Sequence, residues 1–372
     1  MSEALITHYL HSVSYPEEKF YSRLLIEAGL TQKELRELKN QHPRKISDTS
    51  HFTFIDLFAG IGGMRLAAES LGGRCVFSSE WDAYAQKTYQ ANFQELPFGD
   101  ITSISETHVP KHNILFAGFP CQAFSIAGKK GGFNDTRGTL FFDVARIIKS
   151  TRPDAFILEN VKGLLNHDSG KTLETILNVL RNDLGYHVPD PQIINSKYFG
   201  VPQNRERIFI VGFKIVRKDK QFTYPKGRLT TKTINGILER TDVSAKYYLS
   251  KQYLRTLERH KARHQAKGNG FGYQVLKSDA VANAIVVGGM GRERNLVVHR
   301  TNKALVPVTN IQGTINSQFI RRLTPRECAR LQGFPESYKI PVSDAQAYKQ
   351  FGNSVSVPSV QAVLKKVLEV LG

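Results

Sequence analysis

Apolar and polar residues alternate in a regular rhythm between Phe52 and about Phe213. Short, mostly apolar runs predict buried strands at 54–58, 75–77, 114–117, 155–158 and 208–212. The stretches between them repeat apolar residues at helical spacing, at 64–71, 82–93, 140–149 and 172–184. Strands and helices that alternate in this way predict an α/β fold with a doubly wound, mostly parallel sheet and helices on both faces.

The two ends of the chain follow other patterns. Residues 1–50 predict a helical extension with amphipathic stretches at 21–26 and 30–38, and Thr31 is placed to cap the second helix. A packing helix pair is the favoured interpretation, and a small DNA-binding module is the alternative. Glycines, short strands and basic residues dominate from about 224 to 320, which predicts a second, smaller domain. Helices are expected at 324–331 and from Pro358 to Leu371. The expected regions are 1–50, 51–224, 225–320 and 321–372.

The charge of the chain indicates a polyanionic partner. Lys and Arg number 51 against 33 Asp and Glu, a formal net charge of +18. Nucleic acids are natural partners of a chain this basic. The excess is uneven, because eleven Lys or Arg stand against three acids between Lys251 and Lys303. This unevenness favours a nucleic-acid-binding surface over a generally solvated one.

The sequence predicts neither a membrane segment nor a secretion signal nor a metal site. No apolar stretch approaches the roughly 20 residues that span a bilayer, and the N-terminus shows no basic region followed by an apolar one. The three cysteines fit neither a disulfide framework nor a zinc site, so we expect a reducing, intracellular compartment. Cys75, in a predicted strand, and Cys328, on a predicted helix, are expected to be buried. Cys121 lies in a Gly/Pro loop and is the exception.

A glycine-rich turn between the first strand and the first helix is the candidate cofactor site. It reads Asp-Leu-Phe-Ala-Gly-Ile-Gly-Gly over 56–63, and glycine lets a backbone approach a ligand closely. The turn lacks the third glycine of the dinucleotide fingerprint. Glu80, at the next strand end, could hold ribose hydroxyls, and Asp100 could hold an adenine amino group. A nucleotide-like cofactor is therefore favoured over a tight turn beside two surface acids.

A second candidate site lies where the strands at 114–117 and 155–158 end. Ligands of doubly wound sheets bind at such strand ends, and Cys121 and Glu159 follow these two strands. A carboxylate after an apolar strand is costly unless it has a role or a partner, and a helix cap or a salt bridge is the structural alternative. Arg205 and Arg207 could clamp a polar substrate edge or be surface charges.

Six blocks of sequence resemble the bacterial cytosine-5 DNA methyltransferases, over roughly residues 52–372. They occur in the order of that family at Phe54–Gly63, Pro120–Gln122, Glu159–Val161, Gln203–Arg207, Arg322–Glu327 and Gly352–Val355. The resemblance implies a class I S-adenosylmethionine-dependent methyltransferase fold with a smaller target-recognition domain and a final segment that returns to the catalytic domain. It implies a DNA (cytosine-5-)-methyltransferase whose cofactor is S-adenosylmethionine.

The resemblance also implies a role for each candidate residue. Cys121 would attack C6 of cytosine. Glu159 would bind N3 and the exocyclic amine and protonate N3, which requires a carboxyl group with a raised pKa. Arg207, supported by Arg205, would hold the O2 edge. The cofactor pocket would be lined by Phe58, Gly60, Gly62, Glu80, Trp81, Asp100, Ile101, Asn353 and Val355. For Trp81, plain core packing is an equally good interpretation.

Double-stranded DNA is the implied partner, with its target base flipped out of the helix. Ser125, Lys129 and Lys130 belong to a Gly/Lys-rich segment, 125–132, that is predicted to be a mobile lid closing on DNA phosphates. A plain surface loop is the alternative. Arg292 and Arg294 are the candidates for bidentate contact with guanine O6 and N7.

The variable region narrows the target sequence. The blocks at 268–273 and 288–295 resemble those of HpaII-type methyltransferases, which modify CCGG, and the first block also resembles enzymes that read CC(A/T)GG. We therefore expect a monomeric modification enzyme of a restriction–modification system in a bacterial cytoplasm, without a metal or an obligate protein partner. The same chemistry on transfer RNA and a non-catalytic DNA-binding relative are the alternatives. The intact set of Cys121, Glu159 and Arg207 argues against the second alternative.

Overall fold

The computed structural model describes residues 2–12, 15–41, 50–120, 140–216, 220–269, 272–287, 291–300 and 314–372. The helices are α1 (Ser2–His11), α2 (Tyr15–Glu27), α3 (Gln32–Gln41), α4 (Gly63–Glu69), α5 (Ala83–Phe93), α6 (Leu140–Thr151), α7 (Lys171–Asn178), α8 (Lys251–Ala266), α9 (Pro325–Gln332), α10 (Asp344–Asn353) and α11 (Val357–Leu371). The strands are β1 (Phe52–Leu57), β2 (Gly73–Ser79), β3 (Ile114–Ala117), β4 (Ala155–Val161), β5 (Gln192–Asn195), β6 (Gln203–Asn204), β7 (Glu206–Phe213), β8 (Ala282–Asn283), β9 (Val297–Val298) and β10 (Ile320–Arg321).

One six-stranded sheet has the order β2-β1-β3-β4-β7-β5. β1 pairs in parallel with β2 and β3, and β3 pairs in parallel with β4. This arrangement confirms the predicted α/β fold with a mostly parallel sheet. The strand predicted at 208–212 is part of β7, which runs antiparallel to β4. Its direction was not visible in the sequence because a strand buried on both faces is a continuous apolar run whichever way it runs.

The chain divides into two compact units. The first contains 1–194, 206–226 and 359–372, and the second contains 195–205 and 227–358. The N-terminal helices and most of α11 therefore belong to the first unit, and α8, α9 and α10 belong to the second. The functional division expected at 51–224, 225–320 and 321–372 stays a prediction.

The N-terminal helices pack on the edge of the sheet at β2. The hydroxyl of Tyr21 in α2 donates to a backbone carbonyl of β2, and the ring of His8 in α1 stacks on Phe98 with centres 4.7 Å apart. Thr31 caps α3 as predicted: its hydroxyl accepts from the Glu34 amide, and the Glu34 carboxylate accepts from the Thr31 amide at 2.8 Å. These are the contacts of packing helices. The sequence pattern did not predict α1.

The second unit is built around α8. Ser250 caps this helix, and Leu254 and Leu257 are buried in a cluster with Leu296 and Ile320. The strands here are two residues long, with β6 pairing with β8 and β9 with β10. The prediction that glycines and short strands dominate this part of the chain was wrong for 251–266. With two buried apolar positions among many basic ones, α8 shows too narrow an apolar stripe to be recognised as amphipathic.

α9 and α11 begin where the sequence predicts helices, whereas α10 is a helix that the sequence pattern did not predict. Thr324 and Glu327 form a reciprocal capping box at the start of α9, and Glu327 pairs at 2.7 Å with Arg321, both side chains being fully buried. α11 carries Pro358 in its first turn. Within the described residues, no helix is both long and apolar enough to cross a membrane.

Candidate active site

Two neighbouring strands end side by side at the candidate catalytic site. β3 and β4 are parallel and in register, with Ala117 opposite Leu158. The residues that follow these two positions therefore leave the same edge of the sheet. Glu159 comes directly after Leu158 and is 8% exposed, and Gly118 comes directly after Ala117. This register brings Glu159 beside the turn that leads to Cys121.

The turn after β3 is held against the end of β4. The amide nitrogen of the Asn160 side chain donates to the Phe119 carbonyl at 2.9 Å. A Cβ atom placed on Gly118 would lie 3.7 Å from Oε2 of Glu159, so the carboxylate sits close to the backbone of this turn. Asn160 was not predicted to be a site residue. The only sequence signal for its role is its position directly after Glu159, a catalytic candidate. Cys121, Ser125, Lys129 and Lys130 lie outside the described residues.

Glu159 and Arg207 form an ion pair across two strands. Nε of Arg207 lies 3.2 Å from Oε1 of Glu159, and both side chains are largely buried. Because Glu159 is opposite Phe209 and Val161 is opposite Arg207 in the antiparallel ladder, the two are diagonal neighbours on one face. Nη1 of Arg207 also donates to the Glu206 carbonyl at 2.8 Å. The strand order thus places together two side chains that are far apart in the sequence.

Arg205 has surroundings quite different from those of Arg207. It belongs to the second unit, is 1% exposed, and donates through its two terminal nitrogens to backbone carbonyls of Ile285, Gly352 and Ser354. Gln203 is also fully buried in that unit, where its side chain donates to the Leu331 carbonyl at 2.9 Å. The side chain of Arg205 therefore fixes the backbone at Ile285 and at the C-terminal end of α10.

Cys75 and Cys328 are buried free thiols. Burial raises the pKa of both well above the ordinary value for a thiol, so each is held in the unreactive protonated form. The prediction that these two cysteines are packing residues is confirmed. Among the residues that the structure describes, no three His, Cys, Asp or Glu side chains form a metal-binding group.

The glycine-rich turn after β1 has an unusual backbone. Phe58 has a φ of 57° although it is not glycine, a strained conformation that proteins keep mostly at functional sites. Gly62 has a φ of 79°, and a Cβ there would lie 2.2 Å from the ring of Phe93. Gly60 shares the left-handed conformation, with a φ of 56°. The sequence 58–62 thus makes a tight turn that only glycine at 62 permits.

Glu80 holds this turn at the end of β2. Its two carboxylate oxygens accept hydrogen bonds of 2.8 Å from the amides of Gly60 and Asp82. Burial raises the pKa of Glu80, while these hydrogen bonds act in the opposite direction. The indole of Trp81, the next residue, is 75% exposed. The core-packing interpretation of Trp81 is therefore wrong, because most of this large ring faces solvent.

Two further candidates follow Phe98, which forms an isolated backbone bridge beside the end of β2. Ser79 bridges to Phe98 in parallel, so the chain at Gly99–Asp100 runs beside the end of β2. The Asp100 side chain is exposed and accepts from the Thr102 amide at 2.9 Å, whereas Ile101 is buried. Asn353 and Val355 belong to the second unit. Asn353 is the last residue of α10 and is exposed, whereas Val355 is buried. The structure thus gathers the candidates from the first two strand ends and Asp100 within one unit.

The two candidate guanine readers flank a buried acid. Arg292 and Arg294 are exposed, while Glu293 between them is 3% exposed. Oε1 of Glu293 lies 2.8 Å from a terminal nitrogen of Arg322 and accepts from the Tyr253 hydroxyl at 3.1 Å. This acid therefore anchors the short helical turn 291–295 from which both arginines project. In the sequence, Glu293 is only one of three acids in a basic region, so nothing there indicates its anchoring role.

The fold defines the class of protein. The chain aligns over 86% of its length with the solved structure titled Dnmt2 methyltransferase of S. pombe, at a TM-score of 0.65 and 22% identity, covering 99% of that chain. It also aligns over 86% with a putative DNA modification methyltransferase encoded within an E. coli prophage, at a TM-score of 0.59 and 20% identity, covering 99% of that chain. These likenesses show the methyltransferase fold.

The sequence then identifies the family. The model of the C-5 cytosine-specific DNA methylase family matches residues 52–369. The chain is 65% identical to the type II methyltransferase M.HpaII of Haemophilus parainfluenzae over 324 residues, 86% of this chain and 90% of that protein. It is 41% identical to M.HhaI of Haemophilus parahaemolyticus over 319 residues, 83% and 92% of the two chains. The chain belongs to the C-5 cytosine-specific DNA methylases, enzymes that use S-adenosylmethionine to methylate carbon 5 of cytosine in DNA.

The strand-end residues of the first unit fit S-adenosylmethionine. The exposed indole of Trp81 offers a flat apolar face suited to stacking on adenine. The Glu80 carboxylate accepts backbone hydrogen bonds from Gly60 and Asp82 and a further one from Trp81. Because a carboxylate offers about four lone-pair sites, it can still accept from a ribose hydroxyl. Hydroxyl donors would also stabilise a carboxylate whose pKa is raised by burial.

Proposed function

We propose that this chain methylates a cytosine within double-stranded CCGG and protects DNA in a restriction–modification system. The variable-region resemblance at 268–273 and 288–295 supports this target, and the similarity to type II methyltransferases supports the biological context. We place the reaction in the bacterial cytoplasm and propose a monomer that needs no protein partner. The first unit is assigned the catalytic role, and the region 225–320 of the second is assigned target recognition.

A single geometric observation carries the catalytic proposal. The Glu159 carboxylate is paired with Arg207 at the strand end beside the turn that leads to Cys121. A base stacked within the duplex is out of reach of these groups, so the target cytosine is flipped out at a cost of a few kcal/mol. Glu159 then binds N3 and the exocyclic amine, and the remaining donors on Nη2 of Arg207 bind O2. Arg205 is assigned a supporting role on the family resemblance; within the second unit it fixes the backbone at Ile285 and at the end of α10.

Cys121 supplies covalent catalysis in this scheme. Its thiolate bonds to C6, the C5–C6 electron pair moves to C5, and Glu159 gives a proton to N3 as charge builds there. S-adenosylmethionine, when bound, supplies an electrophilic methyl group for the activated C5. Loss of the C5 proton to water, return of the N3 proton to Glu159 and breakage of the S–C6 bond then restore the aromatic ring and the free thiolate.

We assign the remaining candidate residues to the cofactor and to DNA. Phe58, Gly60, Gly62, Glu80, Trp81, Asp100 and Ile101 would hold S-adenosylmethionine, with Asn353 and Val355 assigned to it on the family resemblance alone. Ser125, Lys129 and Lys130 are assigned to DNA phosphates on the same ground. Arg292 and Arg294 would read guanine, since both are exposed on an anchored turn.

Bisulfite sequencing of treated DNA tests the target. Plasmid DNA carrying CCGG, CCAGG and CCTGG sites is incubated with the enzyme and S-adenosylmethionine, and transfer RNA is incubated in parallel. We expect methylation of one cytosine position in every CCGG and none in the other substrates. Methylation of CC(A/T)GG sites alone would overturn the target, and methylation of transfer RNA alone would overturn DNA as the substrate.

A trapping assay tests the nucleophile separately. A CCGG duplex with 5-fluorocytosine at the target base has no C5 proton to lose, so the enzyme should remain covalently attached after methyl transfer. We expect Cys121→Ser to abolish the adduct. Cys328→Ala, which removes a buried thiol that we assign no chemistry, is the matched control and should still form it. A wild-type enzyme that binds the duplex without an adduct would be a non-catalytic relative.

A further inference from the structure

A stripe of five basic side chains runs along α8. Lys251, Arg255, Arg259 and Arg263 lie on the helix at intervals of four residues, and Lys267 continues the spacing at its C-cap. All five are exposed. Residues four apart are neighbours on a helix surface, and each step of four residues turns by about 40° around the axis. The five charges therefore form one continuous row that winds partway around the helix, which we call the α8 stripe. The excess of positive charge is apparent from the sequence, but the row becomes visible only once the helix is known.

The α8 stripe is unfavourable for the helix that carries it. Like charges four residues apart repel each other and destabilise a helix. Lys251 in the first turn also faces the positive end of the helix dipole. Glu258 is the one acid in the helix sequence, and none of the five basic side chains forms an ion pair with another described residue. A row of five mutually repelling charges with a single acid, Glu258, beside it is what a polyanion would stabilise.

The row matches DNA in spacing and in position. Successive charges are about 6 Å apart along the axis, and the row is about 24 Å long; one DNA strand carries about seven phosphates over that length. α8 is also tied to the candidate base-reading turn, because Tyr253 on this helix donates to Glu293 at 3.1 Å. The helix is therefore fixed to the same local structure that presents Arg292 and Arg294.

We propose that the α8 stripe binds the phosphate backbone of DNA without reading its sequence. This inference rests on the proposed target-recognition role of the region that contains α8. The opposite face of the helix is occupied by the buried Leu254 and Leu257, which leaves the basic face as the one turned to a partner. The stripe supplies salt-dependent affinity for any duplex, and the turn at 291–295 supplies discrimination.

The salt dependence of DNA binding tests the proposal. Dissociation constants of the full-length enzyme are measured by fluorescence anisotropy on a duplex with CCGG and on one without it, from 50 to 300 mM NaCl. The triple variant Arg255→Gln/Arg259→Gln/Arg263→Gln should lower the slope of log Kd against log salt by about 2.7 on both duplexes, since each phosphate contact contributes about 0.9. The ratio of the two dissociation constants should stay unchanged.

Two matched variants make the result decisive. Lys33→Gln/Arg36→Gln/Lys365→Gln removes three exposed charges outside the second unit and should leave the slope as in the wild type. Arg255→Lys/Arg259→Lys/Arg263→Lys should also keep it, because a phosphate accepts either cation. The proposal is contradicted if the first control lowers the slope as much as the triple glutamine variant does. It is also contradicted if the lysine variant lowers the slope. An enzyme that methylates no DNA yet shows the predicted slopes refutes the proposed reaction and leaves the stripe standing.

Discussion

Nε of Arg207 lies 3.2 Å from Oε1 of Glu159, across the antiparallel pair of β4 and β7. The reversed direction of β7 is what makes this contact, because the start of β7 then lies beside the end of β4. Opposite charges that are both largely buried hold each other in one geometry. The carboxylate therefore stands fixed at the strand end, close to the turn that leads to Cys121.

Replacing the Glu159 carboxylate by an amide should slow methyl transfer strongly. Glu159→Gln keeps the shape of the side chain but cannot give a proton to N3, and positioned proton transfer contributes about 10²–10⁴-fold. Single-turnover methylation of a CCGG duplex should fall by a factor in this range. Lys162→Gln, which breaks the neighbouring exposed pair with Glu206, is the control and should keep the wild-type rate. A Glu159→Gln rate within a factor of three of the wild type would remove this residue from the chemistry.

The two exposed arginines at 292 and 294 should each control recognition of one base pair. A bidentate contact from arginine to guanine is worth about 1–3 kcal/mol of discrimination. Arg292→Ala and Arg294→Ala should therefore relax specificity at one position each, measured as kcat/KM on duplexes with single base changes. If either variant weakens all duplexes equally, that arginine is a phosphate contact.

The buried acid between these arginines should matter for specificity although it faces away from solvent. Glu293→Gln removes the charge that pairs with Arg322, and a partner left unpaired in a buried place costs about 1–3 kcal/mol. We expect reduced discrimination between CCGG and its single-base variants, with unchanged affinity for S-adenosylmethionine. Glu336→Gln affects a pair with Arg330 in which the acid is 66% exposed, and it should change neither property. Full discrimination in Glu293→Gln would mean that the turn keeps its shape without the ion pair.

The sheet and its strand ends could be predicted because each depends on short-range patterns. Apolar runs fixed the strands, and the shared edge of parallel strands brought Glu159 next to the turn before Cys121. The cofactor candidates Glu80 and Asp100 follow from the same rule. The contact between Arg207 and Glu159 could not be predicted in this way, because it depends on the direction of β7. That direction is set by the tertiary fold.

The sequence did not predict which polar side chains are buried or which groups they contact. Arg205 and Arg207 look alike in the sequence, yet one is enclosed by backbone carbonyls and the other pairs with Glu159. Glu293 looks like a surface acid until its contacts with Arg322 and Tyr253 are known. Burial of a charged side chain depends on partners from distant parts of the chain, so no local sequence pattern predicts it.

His8 should make the packing of the N-terminal helices sensitive to acid. It is 3% exposed, and burial lowers its pKa to about 4, with Arg65 and His11 acting in the same direction and Glu95 opposing them. The folded state therefore binds this proton less readily than the unfolded state, whose histidine has a pKa of about 6.5. The stabilising contribution is present above pH 6.5 and is lost as the pH falls towards 4.

Replacing His8 by phenylalanine tests this dependence. Between pH 7 and pH 5 the wild type should lose about 2 kcal/mol of unfolding free energy through this residue, measured by urea denaturation at each pH. His8→Phe should lose less over the same interval because phenylalanine binds no proton and keeps the stacking on Phe98. His51→Gln, at an exposed position, should behave as the wild type. Equal losses in His8→Phe and the wild type would show that other groups cause the acid sensitivity.

Asp56 gives a pH dependence of the opposite sign within the same unit. It is 1% exposed in β1, and burial raises its pKa to about 8, with Glu80 adding to the effect and Arg65 opposing it. The folded state thus holds a proton that the unfolded aspartate releases at about pH 4. Stability from this group is therefore complete below pH 4 and decreases as the pH rises towards 8.

Asp56→Asn should remove that decrease, because an amide resembles the protonated acid and does not titrate. The unfolding free energy of the variant, relative to the wild type, should rise by an amount on the order of 4 kcal/mol between pH 5 and pH 8. Urea denaturation at a series of pH values measures the difference. Asp154→Asn, at an exposed position of the same unit, controls for the loss of one negative charge and should give no such trend. A constant difference across this range would mean that Asp56 is ionised in the folded protein, with Arg65 outweighing the effect of burial.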